Sequence, residues 1–289
     1  MDIKKLINHK FQGVDDQFIG IDLFYDEKSQ EEAQPLVVFF RGYKENKHWG
    51  AWDLLGEEFV KQGFVFVKFN FSHNGADPEN GKEFKRLDLF AKNRISYEYK
   101  ESVSVLNYLQ NWDYSSLYQG QKIHLVGHSR GGSMAILAEP DTSMKIESVT
   151  AYAAPSSFHY FMPRGWKKWF WKLKKTAYLK HPRTGIKLPH NFTFFTDYER
   201  NRSLLDLEKA LHKSQAKHLF IIGTNDVVVT RAQGEQLHKA SKDSELFIIA
   251  NMDHNLGSTT PWSKEELPNY LQVAFDQTIS FIKNDTKSN

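Results

Sequence analysis

A serine between glycines stands where a strand-like segment meets a helix-like one. The stretch Gly127-His128-Ser129-Arg130-Gly131 follows the apolar run 123–126 and leads into the helix-compatible run 132–138. A side chain at the tip of such a turn lies in a strained backbone conformation, and small neighbours are needed where the strand and the helix come close. The N-terminus of the helix then points at the serine and stabilises developing negative charge. The pattern G-x-S-x-G in this setting predicts a nucleophile elbow, with Ser129 as the attacking group.

Two later strand-like runs end in the residues that a nucleophilic serine needs as partners. The run 218–222 is followed by Asp226, and the run 246–250 is followed by His254. The order Ser, acid, His suits this chemistry, and both residues should reach the carboxyl edge of a parallel sheet, where ligands bind in open α/β folds. We therefore expect His254 to take the proton of Ser129. We expect Asp226 to hold the imidazole in the right tautomer and to stabilise its cationic form.

Simpler roles compete with each of these assignments. Asp226 could instead cap the helix that begins near residues 229–231. Asp253 is a competing acid, but neighbours on a loop seldom direct their side chains at one another, so Asp226 is favoured over it. His128 is expected to serve in packing, and His124, which alternates with core residues in a strand, to be a core histidine.

A backbone oxyanion hole would complete the site. One N–H should come from Arg130, the residue after the nucleophile, and the second from the loop after an early strand. The run 35–40 reads as that strand and is followed by Arg41-Gly42-Tyr43. Gly42 permits a tight turn, which makes the N–H of Tyr43 the natural second donor. Arg41 would place a guanidinium nearby, either as a structural group or as one that favours anionic substrates.

Two further side chains are candidates for the substrate pocket. His73 follows the strand-like run 64–71 and should reach the same edge of the sheet, where it either packs beneath its loop or faces the pocket. Trp166 belongs to an insertion described below. We expect Arg41, His73 and Trp166 to contribute to the pocket.

Taken together, these motifs resemble an α/β-hydrolase. More narrowly, the chain is similar to the dienelactone hydrolase-like, prolyl-oligopeptidase-like and serine aminopeptidase-like group of bacterial hydrolases. The resemblance covers nearly the whole chain and rests on the following segments: 40–43, 68–75, the elbow at Ser129, 223–226 and 253–254. Many hydrolases of this kind carry His-Gly where this chain has Arg41-Gly42. The oxyanion donor expected in this loop is a backbone N–H, so the different side chain does not remove it.

The resemblance implies an α/β-hydrolase fold, with a mostly parallel central sheet flanked by helices and a cap insertion. It implies a serine hydrolase that cleaves a carboxylic ester through an acyl-enzyme and uses neither metal nor organic cofactor. A small-molecule ester or a short peptide would be the substrate. This fold hosts many activities, so a peptidase or amidase and a non-catalytic ligand-binding member are the alternatives.

Alternating strand and helix signals agree with one α/β-hydrolase domain over residues 1–289. An opening antiparallel pair should include residues 18–25. Tyr99, Val103 and Leu106 recur at helical spacing, as do Leu271 and Phe275 in the last helix, and these stripes should face the core. Parallel strands are predicted near 35–41, 64–71, 122–128, 147–153, 217–223 and 245–250.

A basic and aromatic insertion, at about residues 156–200, is predicted to form the cap. Residues 156–190 contain nine Lys or Arg and no Asp or Glu, whereas the whole chain has a formal net charge of +3, so the remaining residues carry −6. Either the aromatic side chains pack on the domain and leave the lysines in solvent, or the cap shapes the pocket and turns a positive face towards an anionic substrate or surface. Interleaved bases and aromatics also occur in nucleic-acid binders, and an amphipathic helix can contact a membrane transiently.

Composition limits the other classes of function. Cysteine is absent, which excludes disulfides, thiolate metal sites and a cysteine nucleophile. No Walker-type loop and no His-Glu-x-x-His motif is present, which argues against nucleotide and zinc mechanisms. The first residues lack the apolar core of a signal peptide and no run of about 18 apolar residues exists. We therefore expect a cytoplasmic protein without stable membrane insertion and without a nucleic-acid partner.

Overall fold

Ten strands form two sheets in the computed structural model, which describes residues 1–181 and 185–284. They are β1 (Ile3–Gln12), β2 (Phe18–Asp26), β3 (Leu36–Phe40), β4 (Val65–Phe69), β5 (Ile123–His128), β6 (Ser148–Tyr152), β7 (Thr176–Lys180), β8 (Lys187–Asn191), β9 (Lys217–Gly223) and β10 (Ser244–Ile249). Eight of them make the central sheet in the order β1-β2-β4-β3-β5-β6-β9-β10, and β7 pairs with β8 in a separate hairpin.

The central sheet is mostly parallel, as predicted. Strand β2 pairs antiparallel with both β1 and β4, and every other neighbouring pair in the sheet is parallel. All five residues of β3, β4 and β6 are buried. Uninterrupted burial of this kind is typical of strands that are covered on both faces. The expected antiparallel opening and the six predicted strands are confirmed.

Nine α-helices lie in the described part of the chain. They are α1 (Trp52–Lys61), α2 (Leu87–Lys92), α3 (Ile95–Leu109), α4 (Arg130–Ala138), α5 (Gly165–Lys174), α6 (Thr193–Arg200), α7 (Leu207–Lys213), α8 (Arg231–Ala240) and α9 (Asn269–Asn284). Among these helices, none is both long and apolar enough to cross a membrane.

Helices cover both faces of the central sheet. Alternate residues of a strand point to opposite faces, and β3 shows the consequence: Phe39 packs with Phe59 of α1 and Phe275 of α9, whereas Phe40 packs in a second core with Leu106 of α3. The helical stripes predicted in α3 and α9 therefore face the core.

Between β6 and β9 the chain leaves the sheet. Residues 156–200, called the cap segment below, contain α5, the β7–β8 hairpin and α6. Strand β8 lies against α2, so the hairpin rests near the carboxyl edge of the central sheet.

Candidate active site

Ser129 sits in a strained turn between β5 and α4. Its φ of 53° and ψ of −124° lie in a region that residues with a side chain rarely adopt. A Cβ atom at Gly127 would lie 2.6 Å from the backbone of Gly131, and one at Gly131 would lie 2.1 Å from the carbonyl oxygen of Phe40. The two glycines are thus required where helix α4 passes close to strands β5 and β3. This is the elbow that the motif predicts.

Ser129, His254 and Asp226 form a continuous hydrogen-bonded chain. His254 Nε2 lies 3.0 Å from Ser129 Oγ, and His254 Nδ1 lies 2.8 Å from Asp226 Oδ2. Strands β9 and β10 run parallel with Ile249 beside Gly223, so the loops that follow them leave the sheet at one edge. The register of these two strands therefore brings the acid and the histidine together.

Asp226 also has a structural role, although it does not cap α8, whose N-cap residue is Thr230. Its side chain is fully buried, and its Oδ1 accepts hydrogen bonds from the backbone N–H groups of Val228 and Val229, each at 2.8 Å. One carboxylate oxygen thus holds the turn before α8 while the other faces His254. Asp253, by contrast, is exposed, and its Oδ1 accepts a hydrogen bond of 2.7 Å from the N–H of Gly257 rather than facing His254.

The two expected oxyanion donors are held together by their side chains. The Arg130 guanidinium carbon lies 3.7 Å from the centre of the Tyr43 ring and 5.4 Å from that of Phe194. Among the described residues, no backbone acceptor is found for the N–H of Tyr43 or Arg130, and both residues line the same cavity as Ser129. A cation over an aromatic face is attractive, so this contact fixes one donor relative to the other.

Glu45 and His128 form a buried network that the sequence did not indicate. His128 Nδ1 lies 2.8 Å from Glu45 Oε1, and His128 Nε2 lies 2.8 Å from the carbonyl oxygen of His254. Both partners only accept, so both ring nitrogens must donate and the ring is an imidazolium. Burial alone would lower the pKa of His128, but the Glu45 carboxylate raises it above its ordinary value. His128 packs as expected, with its ring against Trp49 and Trp52, but it also carries this charged network, which the expectation of packing did not include.

The same network reaches residues 41–43, which carry the expected oxyanion donor Tyr43 and are called the oxyanion loop below. Glu45 Oε2 accepts a hydrogen bond from the N–H of Gly42 at 2.8 Å and one from Trp52 Nε1 at 3.1 Å. Burial would raise the pKa of Glu45, but the His128 cation lowers it. Glu45 and His128 are 83 residues apart, and no spacing rule joins them. Only their position in the tertiary structure identifies the pair.

A cavity of about 710 Å³ opens onto Ser129 and His254. Most of its lining is apolar, and the charged groups at its wall are mainly basic, from Lys44, Arg130 and Lys167. Its aromatic and thioether side chains are Tyr43, Trp49, Phe158, Tyr160, Phe161, Met162, Trp171 and Phe194. The cap segment supplies much of this wall, so its conformation sets the shape of the cavity.

His190 of β8 fastens the cap segment to the oxyanion loop. Its Nε2 is hydrogen-bonded to the hydroxyl of Tyr43, and its carbonyl oxygen accepts a 2.8 Å hydrogen bond from Trp171 Nε1. Burial, together with the nearby positive charges of Arg130 and Lys44, lowers the pKa of His190 to about 3. The imidazole is therefore neutral at physiological pH. This histidine was not singled out from the sequence.

The three expected pocket residues lie outside the cavity lining. Arg41 is buried beneath the oxyanion loop, where its Nη1 donates to the Gly42 carbonyl at 2.8 Å and its guanidinium lies 4.8 Å from the centre of the Phe71 ring. As the residue that directly continues β3, it turns its side chain towards the core. His73 is also buried, with Nδ1 2.8 Å from Ser72 Oγ, which agrees with its structural alternative.

Trp166 differs in being exposed. It projects from α5 with 72% of its surface accessible, and its neighbours Trp169 and Phe170 are also exposed. Of the four aromatic residues between positions 166 and 171, only Trp171 packs inward. The interpretation that the aromatics of the insertion pack on the domain is therefore wrong for three of them.

One group of side chains has the donor atoms of a metal site. Ligand atoms of Asp22, His48 and Asp53 lie within 4.8 Å of one another. The Nζ of Lys68, however, lies 2.8 Å from Asp22 and 2.6 Å from Asp53, and Lys47 is also bonded to Asp22. Two ammonium groups thus stand where a cation would bind, and the cluster is a buried ion-pair network. His124, as expected, is a core histidine, with Nδ1 2.8 Å from Ser148 Oγ.

Comparison with known proteins identifies the fold. No family model and no curated protein matches the sequence. Among solved structures, Est1E from Butyrivibrio proteoclasticus with ferulic acid bound has a TM-score of 0.70 and 15% identity over 98% of this chain and 100% of that chain. Alpha/beta hydrolase domain-containing protein 10 from mouse has a TM-score of 0.63 and 16% identity, covering 98% of each chain. Dienelactone hydrolase from Anabaena variabilis has a TM-score of 0.60 and 14% identity, also covering 98% of each chain. The chain therefore has the α/β-hydrolase fold.

Proposed function

We propose that this α/β-hydrolase fold carries a serine esterase, with Ser129 as nucleophile, His254 as general base and Asp226 as the acid that orients it. The observation that carries the proposal is the unbroken chain of hydrogen bonds from Ser129 through His254 to Asp226, at 3.0 and 2.8 Å. These distances suit proton transfer along the chain. The strained turn at Ser129 presents the hydroxyl at the edge of the sheet, as nucleophilic attack requires.

In the acylation step, Ser129 Oγ bonds to the carbonyl carbon of the ester and its proton passes to His254 Nε2. The carbonyl oxygen becomes an oxyanion, which the N–H groups of Tyr43 and Arg130 are proposed to bind. Asp226 stabilises the imidazolium through Nδ1. When the tetrahedral species collapses, the bond to the leaving alkoxide breaks and His254 returns the proton to the alcohol. An acyl-enzyme remains on Ser129.

Water then releases the acyl group by the reverse sequence. His254 takes a proton from water as the oxygen attacks the acyl carbon, and the same two N–H groups bind the second oxyanion. Collapse breaks the bond to Ser129 Oγ, which regains its proton from His254, and the carboxylic acid leaves. Both steps use only side chains and backbone groups of this chain.

The lining of the cavity supports an apolar acyl or alcohol group. Aromatic side chains such as Phe158, Phe161 and Phe194 dominate the wall, and burying apolar surface there favours binding by about 25 cal/mol per Å². The structural neighbour Est1E binds ferulic acid, an aromatic acid. Lys44 and Lys167 also line the cavity, and their positive charges would favour a substrate that carries an acidic group.

Labelling with a fluorophosphonate probe tests the mechanism directly. We expect the probe to modify Ser129, as read by mass spectrometry of the tryptic peptide, and the Ser129→Ala variant to remain unlabelled. Asp253→Asn, in the same loop as His254 but not bonded to it, is the matched control and should label as the wild type does. A wild-type protein that folds but takes no label would identify a ligand-binding member without catalysis.

A panel of substrates then separates the possible reactions. It should contain aryl and alkyl esters of varied chain length, acidic and neutral members, and dipeptide amides. We expect apolar esters to give the highest kcat/KM. Faster turnover of the amides than of the matched esters would assign a peptidase instead. A preference for acidic esters that is lost in Lys167→Gln and in added salt would show that the basic wall recruits substrate.

A further inference from the structure

Helix α5 of the cap segment turns its apolar side towards solvent. Four large side chains recur at positions i, i+3, i+4 and i+7 and are exposed by 72, 64, 49 and 62% of their surface: Trp166, Trp169, Phe170 and Leu173. With about 100° between successive residues, they lie within an arc of about 100° on one side of the helix. We call these four residues the cap arc. A stripe of this kind normally packs on the core.

The opposite side of α5 already holds the helix in place. Trp171 is half-buried, bonds to the carbonyl of His190 and packs edge-on against Phe192. Lys168 lies with its ammonium 4.3 Å from the centre of the Phe195 ring. Other residues thus make the contacts between α5 and the rest of the domain, and the cap arc is not needed to hold the helix in place.

Basic side chains border the cap arc on both sides. On the helical projection, Lys172 lies beyond one margin, and Lys167 and Lys174 lie beyond the other. All three are exposed, and residues 156–190 contain no carboxylate that could neutralise them. Tryptophan and other apolar side chains with flanking lysines, whose stems follow apolar surface while their charges stay in water, are typical of helices that lie in a membrane interface.

We propose that the cap arc docks the protein on the surface of an anionic lipid bilayer. Contiguous exposed apolar surface marks an interaction site. The lysines around the cap arc indicate which kind of partner binds there. A second copy of the chain docking face to face would bring two acid-free basic segments together. An anionic lipid surface attracts juxtaposed lysines and accepts apolar side chains just below its head groups.

The position of the cap arc relates docking to the active-site cavity. Helix α5 contributes Lys167 and Trp171 to the cavity wall, and the exposed side chains of Tyr160, Phe161 and Leu179 line the cavity as well. Docking through the cap arc therefore sets the bilayer against the outer side of a helix whose inner side forms part of the cavity wall. An apolar ester dissolved in the bilayer would then be concentrated close to the cavity. This second part rests on the proposed esterase function, whereas docking itself does not.

Vesicle binding by the Ser129→Ala variant tests docking without turnover. The probes are vesicles of phosphatidylcholine alone and of phosphatidylcholine mixed with phosphatidylglycerol, and bound protein is measured by co-sedimentation. We expect binding to the mixed vesicles to be at least about tenfold tighter. Added salt should weaken it, because screening shortens the reach of the lysines to ~8–10 Å.

Two sets of substitutions assign the contact. Trp169→Ser combined with Phe170→Ser should weaken binding by about tenfold or more, because each buried apolar side chain contributes on that scale. Lys172→Gln combined with Lys174→Gln should weaken the preference for phosphatidylglycerol, because two of the three lysines that border the cap arc are then neutral. Phe18→Ser, at an exposed aromatic residue on β2, is the matched control and should bind as the parent does. The substituted side chains are exposed, and an unchanged Tm will show that each variant is folded.

Three results would overturn the proposal. The first is an absence of binding to the mixed vesicles, and the second is equal binding by the parent and the Trp169/Phe170 variant. The third is a dimer in analytical ultracentrifugation that this variant abolishes, which would assign the cap arc to a second copy of the chain. Because the assay needs no turnover, failure of docking leaves the esterase proposal standing. A wild type without esterase activity likewise leaves docking standing.

Discussion

The buried ion pair between Glu45 and His128 links the turn at Gly42 to the carbonyl of His254. Glu45 accepts the N–H of Gly42, and His128 donates to the backbone of His254. The 2.8 Å contact between His128 and Glu45 therefore connects the oxyanion loop with the loop that carries His254, the proposed base. Glu45 belongs to the cavity lining, but its two oxygens are already bonded to Gly42, Trp52 and His128. His128 is buried and does not line the cavity, so we regard the pair as a positioning element.

Breaking this pair should destabilise the protein in a pH-dependent manner. Glu45→Gln leaves the buried imidazolium without its counter-charge, which should cost about 3 kcal/mol or more of the free energy of unfolding at pH 6. The pKa of His128 is raised above 6.5, so its contribution is present below that pH and is lost as pH rises through the raised value. The pKa of Glu45 is lowered below 4.5, so its contribution is lost only in acid. The difference between wild type and variant should therefore shrink between pH 6 and pH 9.

Urea unfolding at both pH values measures this difference. Glu147→Gln is the matched control, because Glu147 lies 3.6 Å from Lys122 in a half-exposed pair and should change stability by less than about 1 kcal/mol. A loss in Glu45→Gln that is the same at pH 6 and pH 9 would contradict the assignment of a charged His128.

Removing the nucleophile or the base should abolish turnover, because the members of such a triad act as a unit. Ser129→Ala and His254→Ala should each lower kcat on an ester by about 10⁴- to 10⁶-fold, and the double variant should be little worse than either single one. Steady-state kinetics on purified, folded protein provides the measurement. Substantial activity in Ser129→Ala would refute the proposed mechanism.

The two aspartates near His254 should differ sharply in their effect. Asp226→Asn should lower kcat by about 10³- to 10⁴-fold, because the amide favours the wrong imidazole tautomer. Asp253→Asn removes only the hydrogen bond to the N–H of Gly257 and should cost less than about tenfold. The measurement is kcat of each variant, with Tm recorded to show that both are folded, and it identifies which aspartate acts with His254. The reverse ranking would show that Asp253 is the functional acid.

Two glycines should respond in opposite ways to alanine. A Cβ atom at Gly131 would lie 2.1 Å from the carbonyl oxygen of Phe40, so Gly131→Ala should displace the elbow and lower the Tm markedly. Gly234 lies inside α8, and a Cβ atom there would lie 3.5 Å from its nearest neighbours, which is ordinary van der Waals contact. Gly234→Ala should therefore stabilise the helix by about 0.5–1 kcal/mol. Thermal unfolding of both variants is the test, and tolerance of Gly131→Ala would contradict the close approach of α4 to β3.

Much of the fold could be predicted from the sequence because its signals are local. Continuous apolar runs marked the strands, and the spacing of Tyr99 and Leu106 marked the buried side of α3. The elbow at Ser129 and the strand ends before Asp226 and His254 followed from the same runs, since parallel strands end at one edge. The three side chains meet as those positions imply.

Tertiary structure decided what those periodic patterns leave open. Periodicity determines which residues share a side of a helix, but not whether that side meets the core or the solvent. For this reason the sequence suggested that Trp166 and Trp169 line the pocket or pack on the domain, although both are exposed. Contacts between distant segments were equally invisible, because they depend on how loops pack once the sheet has formed. The pairing of Glu45 with His128 is one example, and the burial of Arg41 beneath its own loop is another. The sequence thus determined the elements and the edge at which the proposed triad lies, whereas packing determined its supports, its cavity and the exposed side of its cap.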